Sequence, residues 1–256
     1  MVTARNSGSK PQVPPGLTVV FAYYENPGML ELQWREISRY SENLKDMIEI
    51  IVVDDGSRVS PASEVERPAQ LPRHSIYRIA QDIPWNQDAA RNIGAHEAAA
   101  PWLLLTDIDH VVPQVTLESL VLMQKDSSVF YTLGRVKFSG GEIGTNSEIR
   151  GSHPNSYVMT RKLYWDIGGH DEDYAGIYGK DFLFRKRALR KANEVHLEKL
   201  YLARVGSSTV RDAGTHSITR ENTFRARIWG YLLEFLKEVR LWRGVQALTY
   251  EYRKVL

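Results

Sequence analysis

Short apolar runs alternate with helix-like segments through the first hundred residues of the chain. Four runs of aliphatic, β-branched and aromatic residues have the length of buried strands: Leu17–Tyr24, Ile48–Val53, Ser75–Ala80 and Trp102–Leu105. Apolar residues at helical spacing separate them at 29–43 and 85–100. Because strands that alternate with helices form right-handed parallel units, the pattern predicts an α/β fold. Its sheet is expected to be open, mostly parallel and twisted, with helices on its faces.

The rest of the chain continues this mixture with shorter elements. Predicted strands lie at 129–137, 156–160 and 196–205, and predicted helices lie at 116–125 (with Thr116 as N-cap), 161–167, 182–192 and 223–245. The last helix carries an apolar stripe of the kind that packs against a domain: Ile228, Leu232, Phe235, Val239 and Trp242.

Two pairs of carboxylates directly follow predicted strands. Asp54 and Asp55 end the second strand, and Asp107 and Asp109 end the fourth, with His110 next to them as an orienting group, a ligand or a surface residue. Ligands of open α/β sheets bind at the carboxyl ends of the strands, so both pairs are expected at one binding edge. Neighbouring carboxylates repel each other unless a cation intervenes, and a hard cation held by few carboxylates usually takes phosphate oxygens as well. The sequence therefore predicts a metal and a phosphorylated ligand.

Composition limits the possible classes of function. The chain has 256 residues, 43% of them hydrophobic and 25% charged, which is typical of a globular protein of one large or two small domains. The absence of cysteine excludes disulfides, zinc–thiolate sites and thiol nucleophiles. It also fits a reducing compartment, so we expect a cytoplasmic protein, either free or peripheral at a membrane. No apolar run approaches the roughly 20 residues that span a bilayer.

Charge divides the chain unevenly. The net charge is +2, but residues 183–256 have a local balance of +9, which leaves −7 for the remainder. This basic region fits an anionic membrane surface, a polyanion such as nucleic acid, or the solvated face of a packed helix. We expect a disordered lead at 1–15, a main domain at 16–215 with halves 16–112 and 113–215, and a basic helical extension at 216–256.

Four motifs, in this order and spacing, resemble the nucleotide-sugar glycosyltransferases of family 2, which have the GT-A fold. They are the strand followed by Asp54–Ser57, the helical Ala89–Gly94, the strand end Leu104–Asp109, and the later stretch Gly168–Arg185. The last stretch also resembles the acceptor side of related galactosyltransferases. The resemblance covers about 17–187 and implies transfer of a sugar from a nucleoside diphosphate, with UDP as the expected nucleotide, to an acceptor hydroxyl.

The resemblance also implies roles for individual residues. The implied nucleotide-sugar contacts are Ala22, Tyr23, Tyr24, Asp54, Asp55, Arg91, Thr106, Asp107 and Ile108. The implied ligands of Mn²⁺ or Mg²⁺ are Asp107, Asp109 and His216. The implied acceptor contacts are Asp171, Glu172, Asp173 and Tyr178, and the implied general base of an inverting reaction is Asp181.

Simpler interpretations of the same residues stay open. The acid pair after the second strand also fits a turn, and Arg91 fits an ion pair with Asp88 one helical turn away. Asp181 fits a helix N-cap, His216 fits a loop residue without a role, and Lys180 stands where the family usually has Glu.

Other functions compete with the one that the resemblance implies. A retaining glycosyltransferase would use the same donor site. A nucleotidyltransferase or sugar-phosphate pyrophosphorylase would carry a glycine-rich basic loop after the first strand, whereas residues 24–28 contain no Lys or Arg. A non-catalytic module would have lost its metal carboxylates, which are intact here. The sequence favours a metal-dependent glycosyltransferase and leaves the acceptor open among a glycan, a lipid-linked glycan and hydroxymethylated DNA.

Overall fold

One continuous sheet carries the architecture. The computed structural model describes residues 14–83, 85–139, 142–143, 149, 151–153, 155–177, 179–180, 182–206, 210 and 223–256. The strands in these ranges are β1 (Leu17–Tyr23), β2 (Ile48–Asp54), β3 (Arg73–Ile79), β4 (Trp102–Asp107), β5 (His110–Val111), β6 (Val129–Ser139), β7 (Glu142–Ile143), β8 (Tyr157–Thr160), β9 (Asn193–Val205) and β10 (Tyr252–Lys254). Their order across the sheet is β10-β3-β2-β1-β4-β8-β6-β9-β5, and β7 pairs with β6.

The longest ladders of the sheet are parallel. β1 lies between β2 and β4, β2 also pairs with β3, and β6 pairs with β9, all in parallel. The antiparallel ladders, such as β4 with β8, involve fewer residues. These pairings confirm the predicted open, mostly parallel α/β sheet.

Helices cover both faces of the sheet and are mostly shorter than predicted. Their bounds are α1 (Pro27–Ser38), α2 (Glu42–Met47), α3 (Gln87–Glu97), α4 (Gln114–Leu122), α5 (Arg161–Asp166), α6 (Phe182–Ala188) and α7 (Thr223–Glu238). The single helix predicted at 29–43 is two helices, because the Ser41 hydroxyl accepts from the backbone N–H of Leu44 and starts α2. The hydrophobic core lies in two large clusters of buried side chains.

Thr116 is not an N-cap. It lies inside α4, whose N-cap position is Pro113, and its hydroxyl donates to the Tyr201 carbonyl of β9 at 2.9 Å. The hydroxyl is buried against the sheet, so a tertiary partner takes the hydrogen bond that the sequence assigns to a local cap.

The α3 backbone approaches β1 closely. A Cβ added at Gly94 would lie 2.2 Å from Cγ1 of Val20, which is closer than two carbon atoms can pack. Glycine at this position therefore lets α3 lie directly on the strand and fixes the distance between the helix and the binding edge.

The C-terminal region differs most from its prediction. α7 ends at Glu238 because Arg240 adopts a left-handed conformation (φ 59°) and the Leu241 N–H donates back to the Leu236 carbonyl at 2.8 Å. The chain then returns to the sheet, where β10 pairs antiparallel with β3, so 216–256 is not a purely helical extension. The predicted packing stripe of α7 is exposed to solvent instead. In the described ranges, no helix is long and apolar enough to cross a membrane.

Candidate active site

The two predicted acid pairs lie at the same edge of the sheet. Tyr23 at the end of β1 is in register with Asp54 of β2, and Ala22 is in register with Asp107 of β4. Because β1 separates β2 from β4, the backbones at the two acid pairs are about two strand spacings, or roughly 10 Å, apart. This edge can therefore hold a ligand with two polar ends.

Asp54 shapes the loop that follows β2. Its carboxylate is buried and accepts from the backbone N–H of Ser57 and of Ala62, both at 2.8 Å. Burial raises the pKa of Asp54, and these hydrogen bonds act in the opposite direction. The turn interpretation therefore describes Asp54, because each of its carboxylate oxygens accepts a backbone N–H of the following loop, while the implied nucleotide contact stays a prediction.

Asp55 presents a buried oxygen without a partner. Its Oδ2 accepts from the backbone N–H of Asn86 at 2.9 Å, whereas its Oδ1 is buried and has no hydrogen-bond partner among the described residues. Burial raises the pKa of Asp55 well above its ordinary value. An unpaired buried carboxylate oxygen is costly, so it marks a place where a ligand atom is expected.

Asn86 adds a second unsatisfied group at the same place. It is fully buried, and neither the nitrogen nor the oxygen of its side-chain amide has a hydrogen-bond partner in the described part of the chain. Sequence reasoning missed this residue, because the helix predicted at 85–100 contained it and gave it no role of its own. Asn86 occupies the N-cap position of α3, but its side chain makes no capping hydrogen bond. Its amide can therefore form hydrogen bonds with a ligand that lies beside Asp55.

The loops after β1 and β2 are tied together near these groups. Glu25, which has a positive φ of 43°, accepts through its carboxylate from the backbone N–H of Val59 and of Ser60, both at 2.8 Å. The Tyr23 hydroxyl donates to the Ser60 carbonyl, and the Tyr24 hydroxyl donates to Asp82 at 3.1 Å. These bonds fix the walls of the site.

The predicted contacts at the ends of β1 and β4 differ in how accessible they are. Burial, with the charge of Asp82, raises the pKa of Tyr24 to about 12, so its hydroxyl stays protonated. Ala22 is half-buried at the edge of the sheet. Thr106 is fully buried and shares a hydrogen bond with the Ser156 hydroxyl at 3.0 Å, so its side chain has a structural partner.

Arg91 is held by an acid of β4. Its side chain is completely buried, and Nη2 donates to Oδ1 of Asp107 and to Oε1 of Gln87, the latter at 3.0 Å. Nη1 lies 3.7 Å from Asp88, the acid that the sequence suggested as a partner. The ion-pair interpretation is therefore correct, with Asp107 as the principal partner, and Arg91 does not itself face the solvent side of the site.

Asp107 and Asp109 have different surroundings. Asp107 Oδ2 lies 3.4 Å from the Asn155 amide nitrogen and 3.6 Å from His153 Nε2, while Oδ1 holds Arg91. The exposed fractions of the two side chains are close, 28% for Asp109 and 24% for Asp107, but among the described residues Asp109 Oδ2 has only Arg204 within 4 Å, at 3.6 Å. Asp109 is thus the more available of the two carboxylates.

Two histidines complete this corner of the site. His110 is fully buried, so it is not a surface residue, and its Nδ1 lies 2.7 Å from Asp109 Oδ1. Burial raises the pKa of Asp109, but the hydrogen bond with His110 and the electrostatic effects of His110, His153 and Arg204 together outweigh burial, so the net shift is downward. Burial lowers the pKa of His153 to about 4, against the charge of Asp107, so this imidazole is neutral near neutral pH. Its ring lies 4.4 Å from that of His110.

The backbone around Asp109 is fastened from both sides. The buried Gln33 of α1 donates through Nε2 to the carbonyls of Ile108 (2.6 Å) and His110 (3.0 Å). The Asp109 carbonyl accepts from the Val205 N–H at 2.8 Å. Ile108 therefore serves the site through its carbonyl, and Gln33 is a positioning residue that the sequence pattern offered no reason to single out.

Among the described residues, the oxygen atoms at Asp109 are too few to hold a divalent cation without further ligands such as phosphate and water. Across the ranges that the structure describes, no group of three or more His, Asp or Glu side chains is arranged to hold a metal. One accessible carboxylate oxygen is nevertheless the usual protein contribution to a Mg²⁺ or Mn²⁺ site that phosphates and water complete. The implied ligand His216 lies outside the described residues. Asp107 contributes less than expected, because Arg91 already binds its Oδ1.

The acids predicted to bind the acceptor instead hold the C-terminal segment. Glu172 is buried, and its two oxygens accept from Asn92, from the backbone N–H of Leu248 and Thr249, and from the Thr249 hydroxyl, at 2.6–2.7 Å. Lys237 lies 2.8 Å from both Asp171 and Asp173. These three carboxylates therefore have structural partners within the chain, and their implied acceptor role stays a prediction.

Tyr178 and Asp181 lie outside the described residues. Lys180, next to Asp181 in the chain, is buried and donates to Glu234 of α7 at 3.0 Å. Its Nζ also lies 4.1 Å from the ring centroid of Tyr231. The residue that replaces the usual family Glu thus anchors this part of the chain to α7.

Comparisons with known proteins identify the family and the fold of the chain. The family model described as "Glycosyl transferase family 2" matches residues 19–191. Among solved structures, S. aureus TarS 1–349 is similar at a TM-score of 0.58 and 18% identity, with 75% of this chain and 61% of that chain covered. The chain thus spans less than two thirds of the length of TarS. A further TarS structure is a complex with UDP-GlcNAc.

Two other solved structures are similar to the same extent. Mannosyltransferase PcManGT from Pyrobaculum calidifontis, in complex with GDP-Man and Mn²⁺, has a TM-score of 0.56 and 15% identity over 92% of this chain and 69% of that one. GalNAc-T7 with UDP, GalNAc and Mn²⁺ has a TM-score of 0.56 and 13% identity over 77% of this chain and 45% of that one. A search of curated proteins found no match. At these identities the structures show a shared fold.

Proposed function

The chain belongs to glycosyl transferase family 2 and is a glycosyltransferase with the GT-A fold, and on that basis we propose that it uses a nucleoside-diphosphate sugar, most simply a UDP-sugar, as donor and transfers the sugar to an acceptor hydroxyl. The observation that carries this proposal is the pair of unsatisfied polar groups at Asp55 and Asn86. A buried carboxylate oxygen and a buried amide are suited to a base edge that offers donors and acceptors, such as that of uracil.

The separation of the two acid pairs fits the length of such a donor. With the base at Asp55, a ribose and diphosphate extend across the end of β1 toward β4, where Asp109 has its accessible oxygen. A divalent cation bound there supplies neutralisation of the charge that develops on the departing diphosphate. The Mn²⁺ in the PcManGT and GalNAc-T7 structures supports Mn²⁺ or Mg²⁺ as the cofactor.

Each half of the site has a separate task in this proposal. Gln33 and His110 hold Asp109 in place, and Arg91 neutralises Asp107 so that two carboxylates can share the corner. Asp181 accepts the proton of the acceptor hydroxyl as that oxygen attacks the anomeric carbon, which gives inversion. The adjacent Lys180 donates to Glu234 of α7.

A donor screen tests the proposal. The protein is incubated with Mn²⁺ and a panel of UDP-, GDP-, ADP- and TDP-sugars, and thermal shift and sugar transfer to an array of hydroxyl acceptors are measured. We expect Asp109→Ala to abolish the Mn²⁺-dependent stabilisation by the donor. Asp181→Asn is expected to retain that stabilisation and to lose transfer by about 10²–10⁴-fold.

The matched control is Asp46→Ala, which removes an exposed carboxylate on α2 away from the binding edge. It is expected to leave both measurements unchanged. Normal transfer by Asp181→Asn would show that another group is the base. A retaining reaction is the second candidate, because it needs the same donor site, and the anomeric configuration of the product by NMR distinguishes the two.

A further inference from the structure

α7 is amphipathic, but its apolar side faces the solvent, whereas an ordinary packed helix turns its apolar side toward the domain. The side that faces the domain contains the buried Leu233 and Gly230, and it carries the ion pair of Glu234 with Lys180. A Cβ at Gly230 would lie 2.8 Å from Ile177, so the backbone itself is in contact there. The opposite side is apolar and open to solvent.

The open side forms one continuous patch with the segment that follows the helix. Its exposed members, which we call the α7 patch, are Ile228, Trp229, Tyr231, Leu232, Phe235, Val239, Leu241 and Trp242. Phe235 is 58% exposed and Leu241 72% exposed. The rings of Trp229 and Trp242 meet edge to face at 5.9 Å, which joins the helix to the following segment. Monomeric proteins rarely expose so many large apolar side chains together.

The α7 patch is held firmly against the domain. The Trp242 indole N–H donates to Asp173 at 3.2 Å, Arg243 pairs with the same carboxylate, and Lys237 reaches both Asp171 and Asp173. The patch is therefore a fixed surface that a partner would meet preformed.

The segments of the chain outside the described ranges have little apolar material to cover this patch. Residues 1–13 contain Met1, Val2 and Val13 as their larger aliphatic side chains, and residues 211–222 contain only Ile218. Eight large apolar side chains need a more extensive apolar partner than these segments provide.

Charge identifies the kind of partner. Residues 223–243 hold five Lys or Arg and two Glu. Glu234 and Glu238 lie near Lys186 at 3.6 and 3.5 Å, so the chain itself neutralises its acids. Arg225 and Arg240, at the two ends of the patch, are exposed. A second copy of the chain would bring arginine against arginine in either a parallel or an antiparallel pairing, so self-association is disfavoured.

An anionic bilayer satisfies every part of this surface. Aliphatic and aromatic side chains enter the boundary between headgroups and acyl chains, tryptophan and tyrosine favour that boundary, and arginines at its edge meet lipid phosphates. We propose that the α7 patch docks on an anionic membrane surface, with α7 lying in the plane of the membrane. The docking does not depend on the proposed donor chemistry, so it can be tested without any sugar donor.

Vesicle flotation with the full chain tests this proposal. Vesicles of phosphatidylcholine alone are compared with vesicles that also contain phosphatidylglycerol, and the intrinsic tryptophan fluorescence, to which the exposed Trp229 and Trp242 contribute, is followed. We expect binding to the anionic vesicles, a blue shift on binding, and a loss of binding at high salt. The double variant Leu232→Ser/Phe235→Ser is expected to bind at least about tenfold more weakly, because it removes apolar area that enters the bilayer.

The matched control is Leu122→Ser, which removes an apolar side chain that is 75% exposed on α4, outside the patch. It is expected to bind vesicles like the wild type, and circular dichroism confirms that each variant is folded. Absence of binding to anionic vesicles, or equal binding by the double variant, would overturn the proposal. A dimer in light scattering that the double variant dissociates would also overturn it, because the patch would then be covered by a second copy.

Discussion

Replacing Asp55 with Asn is expected to stabilise the fold and to weaken nucleotide binding. The carboxylate is buried, its Oδ2 accepts from the Asn86 N–H, and its Oδ1 has no hydrogen-bond partner among the described residues. Asparagine has nearly the same shape and retains one oxygen for the Asn86 N–H, but it carries no charge. The substitution therefore removes an unfavourable buried charge without opening a cavity.

The size of the effect depends on pH in a predictable direction. Burial raises the pKa of Asp55 in the folded state well above its ordinary value. Such a group contributes its full stability below the unfolded pKa of about 3.9, and that contribution is lost as the pH rises through the folded pKa. Each tenfold difference in proton affinity between the folded and unfolded states corresponds to about 1.4 kcal/mol. We expect Asp55→Asn to be more stable than the wild type by about 1–3 kcal/mol at about pH 8, with the difference shrinking toward pH 4.

Urea unfolding at both pH values measures this difference, and the thermal shift with UDP and Mn²⁺ measures binding. Asp54 keeps its carboxylate in both proteins, but its charge also raises the pKa of Asp55, so removing the Asp55 charge relieves this repulsion and acts in the same direction as the loss of the buried charge. Asp46→Asn, an exposed site on α2, is the control for loss of a carboxylate in general. A variant that is less stable than the wild type at alkaline pH would refute the reasoning, because it would mean that the charged form of Asp55 is favourably paired.

Three further substitutions test the framework of the site. Gly94→Ala places a methyl group 2.2 Å from Val20, and it should destabilise the fold by about 1–3 kcal/mol in urea unfolding despite the better helix propensity of alanine; unchanged stability would mean that α3 can move. Gln33→Met leaves two backbone carbonyls of the Asp109 loop without the Gln33 amide as donor. The protein should stay folded, and its apparent affinity for UDP with Mn²⁺, measured by thermal shift, should fall about tenfold. An unaltered affinity would show that Gln33 does not position the site. Arg240→Gly relieves a left-handed backbone position and should stabilise the protein by about 1 kcal/mol in thermal unfolding; a loss of stability would mean that the arginine side chain is needed there.

The parallel half of the fold is predictable because its strands are long apolar runs. β1, β2 and β4 are buried on both faces, and their sequence pattern, together with the intervening helices, determines their parallel pairing. The end of α7 is not predictable in this way. Its stop depends on a left-handed Arg240, where the usual sequence signal is glycine. β10 is also not predictable from the sequence, because an edge strand of three residues has no distinct periodic pattern.

The sequence predicts where the acids of β2 and β4 lie, but it does not predict which groups form hydrogen bonds or ion pairs with the acids of the site. The motifs predict that acids lie at the ends of β2 and β4, and the register of both strands with β1 brings them to one edge. The sequence allows a turn at both acids, but no pattern indicates that Asp54 closes it while Asp55, one residue later, has an oxygen without a hydrogen-bond partner among the described residues. Likewise, the acids at 171–173 resemble an open binding loop, and only the return of the chain at 237–249 shows that they are occupied.

The separate environments of Asp107 and Asp109 explain how two carboxylates can share one loop. Repulsion between them is the reason to expect a cation, and the chain supplies one cation itself, because the buried Arg91 binds Asp107. The charge of Asp107 is thereby balanced inside the protein, whereas Asp109 has an oxygen, Oδ2, whose only partner within 4 Å among the described residues is Arg204 at 3.6 Å. A single added metal is then sufficient, since it needs to be held by one carboxylate and by the phosphates it accompanies. In the donor site that we propose, the two acids of one motif therefore have different tasks: Asp107 is paired with the buried Arg91, and Asp109 is the carboxylate proposed to meet the cation.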